Sequence, residues 1–295
     1  MQDRFSSLHP VVNFLFFAEV LGFSMFLLHP ACLVISLVCA LGYDLQLGGR
    51  KALAFCLKGV LPMTLLAAVL NPLFNHQGAT ILTYLPSGNP VTLESIAYGL
   101  AAAGMLAGVV LWFACFTQVI TSDKFVYLFG RIIPALSLVL SMALRFVPRF
   151  GQQLRVVTRA QKCIGRDPSR GSLLHRIKCA GAILSVMVTW SLENGIDTAD
   201  SMKSRGYGLP GRTAFSIFRF DKRDKQALVL LLALGAAVLA GAALECLTWR
   251  YFPSVKWSTA PLSLAVLAAY GALCAFPIIL NRKEARKWKA LRSNI

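Results

Sequence analysis

The chain has 295 residues, of which 56% are hydrophobic and only 15% charged, with a formal net charge of +17. Soluble domains carry nearer a quarter charged residues, so a water-soluble globular fold is excluded and the positive charge has to be placed along a membrane protein. Four stretches, Val20–Tyr43, Ser95–Ser122, Gln226–Leu244 and Trp257–Asn281, contain no acidic or basic residue, and a bilayer core needs about 20 apolar residues per helical crossing.

In chain order, the start Met1-Gln2-Asp3-Arg4-Phe5 lacks the positive segment and small-residue cleavage site of a signal peptide, so a first membrane helix over Pro10–Leu28 is expected to be retained. His29-Pro30 reads as a break, followed by a short second helix over Ala31–Leu45 and a loop carrying Arg50, Lys51 and Lys58. A third helix is predicted over Val60–Phe74. The Asn75–Leu93 connection contains Pro86-Ser87-Gly88-Asn89-Pro90, a turn-forming string, and leads to a fourth helix over Ser95–Ile120. Two shorter apolar runs follow, Ile132–Leu144 and Cys179–Leu192, of 13 and 14 residues. Runs of that length mark core or in-plane helices more often than crossings, so Phe125–Tyr207 is read as helices at the membrane surface. Two last crossings are expected at Gln226–Leu247 and Ala260–Leu280, before a basic tail from Arg282 to Arg292.

The basic residues then set an orientation. Nine lie between Arg145 and Lys178, seven between Lys203 and Lys225, and six in the tail. Basic loops stay on the cytoplasmic side. Six crossings with both termini inside leave only Arg250 and Lys256 outside, among 30 Lys and Arg. The expected architecture is an all-α, polytopic membrane bundle in three parts: membrane helices over 1–124, a cytoplasmic helical region over 125–225, and membrane helices with the basic tail over 226–295. The eight cysteines form no C-x-x-C pair and the four histidines no metal-binding spacing, so the cysteines read as buried small hydrophobes. Glu19 is an acid within an apolar helix, a position that draws functional suspicion by default. Ala97, Ala101, Gly104 and Gly108 form a small-residue stripe suited to close helix packing.

The arm from Arg145 to Lys225 carries 16 basic and six acidic residues. Arg145, Arg149, Arg155, Arg159 and Arg166 recur at intervals that let several share one helix face. On charge alone this is an interfacial helix touching anionic headgroups. Two short sequences add more: Ala160-Gln161-Lys162-Cys163-Ile164-Gly165-Arg166-Asp167 and Ala199-Asp200-Ser201-Met202-Lys203-Ser204-Arg205-Gly206-Tyr207. Each sets a basic side chain beside a glycine at the expected end of a polar helix. A glycine there takes positive φ and closes the helix, and a cation in the last turn suits the helix dipole. Ordinary helix caps account for both on this reading.

The second sequence, with Asp200, Met202, Ser204, Arg205, Gly206 and Tyr207, resembles the second Ala-Arg-Gly signature of the T component of energy-coupling-factor (ECF) type ABC transporters. Leu144-Arg145-Phe146-Val147-Pro148 and the run around Arg159, Ala160 and Lys162 resemble the approach to that family's first signature, and Gly211-Arg212-Thr213 is also similar. The resemblance is strongest over residues 132–213 and is one of architecture elsewhere. Where the first signature reads Ala-Arg-Gly, this chain has Cys163-Ile164-Gly165, leaving Arg166 or Lys162 to take over the missing arginine's contact. The resemblance implies an L-shaped chain of the prokaryotic plasma membrane whose two crossed coupling helices end at Cys163–Arg166 and Ser204–Gly206. Those ends would insert into two ABC-type ATPase subunits and transmit their movement to a small substrate-binding integral membrane subunit, driving uptake of a vitamin or a transition-metal ion.

On that reading the chain is not an enzyme. It binds no cofactor or metal of its own, ATP and Mg belong to the partner ATPases, and its other contacts are membrane lipids. The sequence contains no G-x-x-x-x-G-K-[ST] phosphate loop; Gly48-Gly49-Arg50-Lys51 has the wrong spacing. The alternative is an integral membrane lipid-modifying enzyme, whose only paired carboxylates would be Asp197 and Asp200, or an autonomous carrier with an anionic-lipid-binding arm. Nucleic acid is not an expected partner, because the basic residues border the membrane throughout.

Overall fold

The computed structural model describes residues 3–84, 90–130, 133–169, 171–207, 209, 218–244, 247, 249–252, 256–257 and 261–292. Helices dominate. In chain order they are α1 (Pro10–Phe26), α2 (Pro30–Gly48), α3 (Arg50–Phe55), a π-helical turn (Cys56–Val60), α4 (Leu61–Phe74), α5 (Leu93–Val119), α6 (Ser122–Gly130), α7 (Pro134–Cys163), α8 (Leu173–Ser204), α9 (Lys222–Ala243) and α10 (Pro261–Arg292). Two small antiparallel hairpins join them, β1 (Ile81–Tyr84) with β2 (Pro90–Thr92) and β3 (Trp249–Arg250) with β4 (Lys256–Trp257). The turn-forming string of the first hairpin lies, apart from Pro90, outside the described residues.

Local chemistry accounts for the helix boundaries. His9-Pro10 and His29-Pro30 start α1 and α2 in the same way: the imidazole Nδ1 accepts the backbone N–H two residues on, at 3.3 Å in each case, and proline occupies the first turn, where its missing donor costs nothing. The break at His29-Pro30 thus separates two full helices, and the second runs to Gly48 rather than stopping near Leu45.

Arg50, Lys51 and Lys58, expected in a loop, instead lie on helix. Gly49, at φ +54°, turns the chain straight into α3, and Leu61 N–H reaches back five residues to Cys56 C=O just before Pro62. That widened turn absorbs a proline that would otherwise interrupt the ladder. The tail also differs from expectation, since α10 continues as helix through Arg292. Its segment 282–292 is built largely from Lys, Arg, Glu, Ala and Leu, good helix formers whose cations suit a helix C-terminus.

Among the described residues, six helical stretches are long and apolar enough to cross a membrane: Pro30–Gly48, Arg50–Phe74, Leu93–Val119, Leu173–Ser204, Lys222–Ala243 and Leu262–Arg286. Five correspond to expected crossings. The sixth is α8, read from sequence as a surface helix, whereas α1 has only 17 residues. Exposed Leu and Val side chains line the outer faces of α2, α4, α5, α9 and α10, among them Val38, Leu65, Leu100, Val229 and Leu264. An aqueous surface would not tolerate so continuous an apolar coat; a lipid one requires it. The protein is a multi-pass membrane protein.

The chain divides into two compact units, Met1–Thr121 with Phe218–Ile295, and Ser122–Ile217. The first holds α1–α5, α9 and α10, with one main core and a smaller cluster of Leu33, Ala101 and Tyr251. Phe5, Phe16, Phe17, Tyr43 and Trp112 are fully buried there, and Phe5 and Trp112 lie 4.9 and 5.7 Å, edge to face, from Phe16, the favoured aromatic geometry. A buried polar knot ties four helices together: Trp112 Nε1 donates to Ser36 Oγ at 2.9 Å, Ser36 and Ser24 share a hydrogen bond of 2.9 Å, and Tyr270 approaches Ser24 at 3.3 Å.

The segment before α1 is latched in place. Arg4 and Phe5 N–H donate to Asn281 Oδ1, Tyr43 OH donates to Asp3 at 2.8 Å, and Arg4 pairs with Glu284 at 3.3 Å. Glu19 faces α9, where an added Cβ at Gly235 would sit 2.7 Å from the Glu19 carboxylate. Gly235 is therefore the close approach between α1 and α9. Of the small-residue stripe, Ala101 is buried beside Leu33 and Tyr251, and Gly108 faces Ser36, whereas Gly104 has open space. Gly99 of α5 lies against α4, where an added Cβ would meet Ala68 C=O at 3.0 Å.

Candidate functional site

The second unit is built from α6, α7 and α8, and it contains both glycine-ended sequences. α7 joins an apolar first half to a basic second half, with Pro148 accommodated inside the helix. α8 begins at Ser172, whose hydroxyl accepts His175 N–H at 3.4 Å, a standard N-cap. Phe150 meets Trp190 edge to face at 5.4 Å, Arg149 lies 5.7 Å over the same indole, and Val157 is buried with Ile183 and Met187. As the α7 number rises the α8 number falls, so α7 and α8 form an antiparallel hairpin.

That pairing sends the two candidate sequences to opposite ends. With about 1.5 Å of rise per residue, the C-termini of α7 and α8 are on the order of 40 Å apart. The two ends close in the same way. At the first, Gly165 has φ +83°, its N–H bonds Lys162 C=O at 3.0 Å, and Arg166 N–H bonds Gln161 C=O at 2.9 Å. At the second, Gly206 has φ +75°, its N–H bonds Lys203 C=O at 3.0 Å, and Tyr207 N–H bonds Met202 C=O at 3.1 Å. This paired closure satisfies orphan carbonyls of the last turn and needs a residue that accepts positive φ.

Superposing the two closures matches residue to residue. Lys162 stands where Lys203 does, Cys163 where Ser204 does, and Ile164 where Arg205 does; the cap residues Ile164 and Arg205 have φ/ψ of −89°/7° and −87°/7°. Arg166 therefore matches Tyr207 and lies beyond the glycine, so it does not occupy the position of Arg205. Ile164 is 71% exposed, and Cys163, Arg166, Ser204 and Arg205 are exposed too. One end presents a hydrocarbon at its cap, the other a guanidinium.

The supporting residues divide between these ends. Arg145, Met202, Arg205 and Tyr207 line one cleft of about 410 Å³ between α7 and α8, together with Arg149 and Asp197. Three guanidinium groups around a single carboxylate give this cleft a net positive lining. Asp200 lies outside it, exposed and 3.9 Å from Lys203. Pro148 sits one turn along α7 from Arg145, while Arg159 and Ala160 are exposed near the first end. Arg149, already placed on a shared face with Arg145 by its i, i+4 spacing, lines the cleft; Asn194 and Thr198, which also line it, were not singled out from sequence, and their own i, i+4 spacing is the signal that marks one helix face.

The connection at the first end is held by its own hydrogen bonds. Asp167 accepts from Ser169 N–H at 2.9 Å and from its hydroxyl at 2.6 Å, Lys162 lies 3.5 Å away, and Arg176 Nε donates to Pro168 C=O at 3.0 Å. The Ser169 hydrogen bonds, aided by Lys162, hold the Asp167 carboxyl down at about 2.

Comparison with known proteins matches the sequence to a family. The chain matches the CbiQ family, described as cobalt transport protein, over residues 4–215. It is 36% identical over 105 residues to the energy-coupling factor transporter transmembrane protein EcfT of Lactobacillus helveticus, covering 35% of this chain and 38% of the relative. With the protein of that name from Bacillus selenitireducens it shares 36% over 106 residues, 36% of this chain and 40% of the relative. With that from Lactococcus lactis subsp. cremoris it shares 35% over 100 residues, 34% and 38% of the two chains. The matched segment thus spans about two fifths of the length of these curated relatives. The family match covers most of the chain and includes both helix ends, in agreement with the resemblance drawn from the second signature: the chain belongs to the CbiQ family of transport proteins.

Proposed function

We propose that this protein is the transmembrane coupling subunit of an energy-coupling-factor importer. In this reading each end of the α7–α8 hairpin docks on one ABC-type ATPase subunit, and both the chain's termini lie in the cytoplasm. The rest of the membrane unit holds a small substrate-binding membrane protein, whose cargo is a vitamin or a transition-metal ion. The chain is a transport component, and ATP and Mg act at its partners.

The observation that carries the reading is the pair of matching helix closures at opposite ends of one antiparallel hairpin. Two equivalent ends suit two related partners. A helix pair some 40 Å long, packed through Phe150, Val157, Ile183 and Trp190, is stiff enough to pass a displacement from one end to the other. Arg205, planar and always charged, suits a bidentate contact with a carboxylate. The match to proteins named as energy-coupling factor transmembrane proteins supports the same reading. The unequal caps add a refinement: the partner groove at Ile164 is apolar, and that at Arg205 carries an acid.

Affinity purification of the tagged chain from its native membrane, with mass spectrometry, tests the proposal. Two ATPase chains, or one as a dimer, plus a small hydrophobic protein are expected. A chain that purifies alone in mild detergent overturns it.

A further inference from the structure

A second cavity, of about 750 Å³, opens in the membrane unit between the segment before α1, the first turns of α9 and the latter part of α10. Its walls have two characters. Leu8, Ala227, Leu230, Phe276, Leu280 and Trp288 supply a hydrocarbon face, and Arg4, Arg223, Lys283 and Arg286 supply cations, with Glu284 as the one carboxylate. Glu284 is already paired with Arg4. Among the described residues no carboxylate lies within ion-pair distance of Arg223, Lys283 or Arg286. The neighbouring acids are turned to other work: Asp224 accepts His9 N–H at 3.1 Å and Asp221 N–H at 3.0 Å.

The order of these walls along the helices is informative. The charge-free run of α9 begins at Gln226, directly after Arg223 and Lys225, and that of α10 ends at Asn281, directly before Arg282 and Lys283. The cations therefore sit where a bilayer-crossing run gives way to polar surroundings, and the hydrocarbon wall of Leu230, Phe276 and Leu280 lies about one to two turns deeper. Trp288, 61% exposed at the rim, is of the residue type that favours the headgroup region.

We propose that this cavity binds one anionic phospholipid. Arg223, Lys283 and Arg286 hold its phosphate, and its acyl chains lie against Leu8, Leu230, Phe276 and Leu280. A free phosphate or nucleotide would leave the hydrocarbon wall unmatched, and a zwitterionic lipid would leave the cationic excess unmatched. Basic pockets between membrane helices with an apolar continuation take lipids of this kind. The bound lipid joins the start of α9 to the end of α10. The proposal does not depend on the coupling role.

The test uses the full-length protein in detergent, titrated with phosphatidylglycerol or phosphatidylcholine and read by native mass spectrometry. One phosphatidylglycerol is expected to be retained per chain. The triple variant Arg223→Gln/Lys283→Gln/Arg286→Gln is expected to weaken its retention on the order of a hundredfold, each cation near an anionic headgroup contributing roughly fivefold. Arg50→Gln/Lys51→Gln/Lys58→Gln removes the same charge elsewhere and is expected to leave retention unchanged. A second readout does not need the triple variant: brominated phosphatidylglycerol should quench emission in the wild type more than in Trp288→Phe. Equal retention of both lipids, an equal loss in the control variant, or quenching indifferent to Trp288 overturns the proposal.

Discussion

Replacing Arg205 with isoleucine makes the second helix end a chemical copy of the first, because Arg205 and Ile164 share one cap conformation, φ/ψ of −87°/7° and −89°/7°. Isoleucine is already accepted in that backbone at residue 164, both positions are solvent-exposed, and Gly206 keeps its closing hydrogen bonds. Exposed substitutions of this kind change stability by no more than about 0.5 kcal/mol, so the unfolding temperature should not move. Binding should. A hydrogen bond from a charged group contributes about 1.5–3 kcal/mol, and truncating one partner of a desolvated charge pair costs about 2–5 kcal/mol. Association with the ATPase at that end should therefore weaken by at least tenfold, and by a hundredfold or more where the pair is fully desolvated. The assay is equilibrium binding of purified ATPase to the full-length chain in nanodiscs, with thermal unfolding measured on the same samples. Unchanged affinity refutes the role given to Arg205; an earlier unfolding transition shows instead that Arg205 acts within the hairpin.

Three further outcomes follow from packing and titration. Gly235→Ala should destabilise the membrane unit by about 1–3 kcal/mol through overpacking, since the new Cβ would lie 2.7 Å from the Glu19 carboxylate; Glu19→Ala should recover most of the loss, and additive effects in thermal unfolding would contradict the contact. Trp190→Ala should cost about 2 kcal/mol, roughly half the ~3–5 kcal/mol of a fully buried aromatic, because Trp190 is half-buried against Phe150 and Arg149; faster limited proteolysis within residues 150–190 reports it, and an unchanged rate argues against the hairpin packing. Asp167 should titrate near 2 by carboxyl-carbon NMR. Its folded-state value is lowered, so its stabilisation of the α7–α8 connection is present above the ordinary aspartate range and lost as the pH falls through about 2; a midpoint near 4 would show that the Ser169 and Lys162 contacts do not form.

Much of this architecture is legible in the residues because membrane helices announce themselves by charge-free length. The runs of α5, α9 and α10 are examples, and His29-Pro30 marks the division of α1 from α2. One part that escaped is the stretch before α4: Arg50, Lys51 and Lys58 read as a loop, but Gly49 and the π turn keep the chain helical up to Pro62. The basic tail reads as an appendage, yet Asn281 and Glu284 are bound to the start of the chain. At the candidate site, each end carries lysine three residues before its glycine, in Lys162-Cys163-Ile164-Gly165 and Lys203-Ser204-Arg205-Gly206. That spacing shows in the sequence that Ile164, and not a neighbouring arginine, stands in the place of Arg205. The cleft of Arg145, Arg149, Asp197 and Arg205 was not legible, since it needs the register of α7 against α8.

The central claim is that the two ends of the α7–α8 hairpin are docking points for ATPase subunits. A photo-crosslinking amino acid placed at residue 164 in one variant and at residue 205 in another, activated in native membranes, tests it most directly. The account predicts that both positions capture ATP-hydrolysing subunits, with capture at 205 lost when the partner's acidic groove is neutralised. Crosslinks at both positions to lipid alone, or back to this same chain, would contradict it.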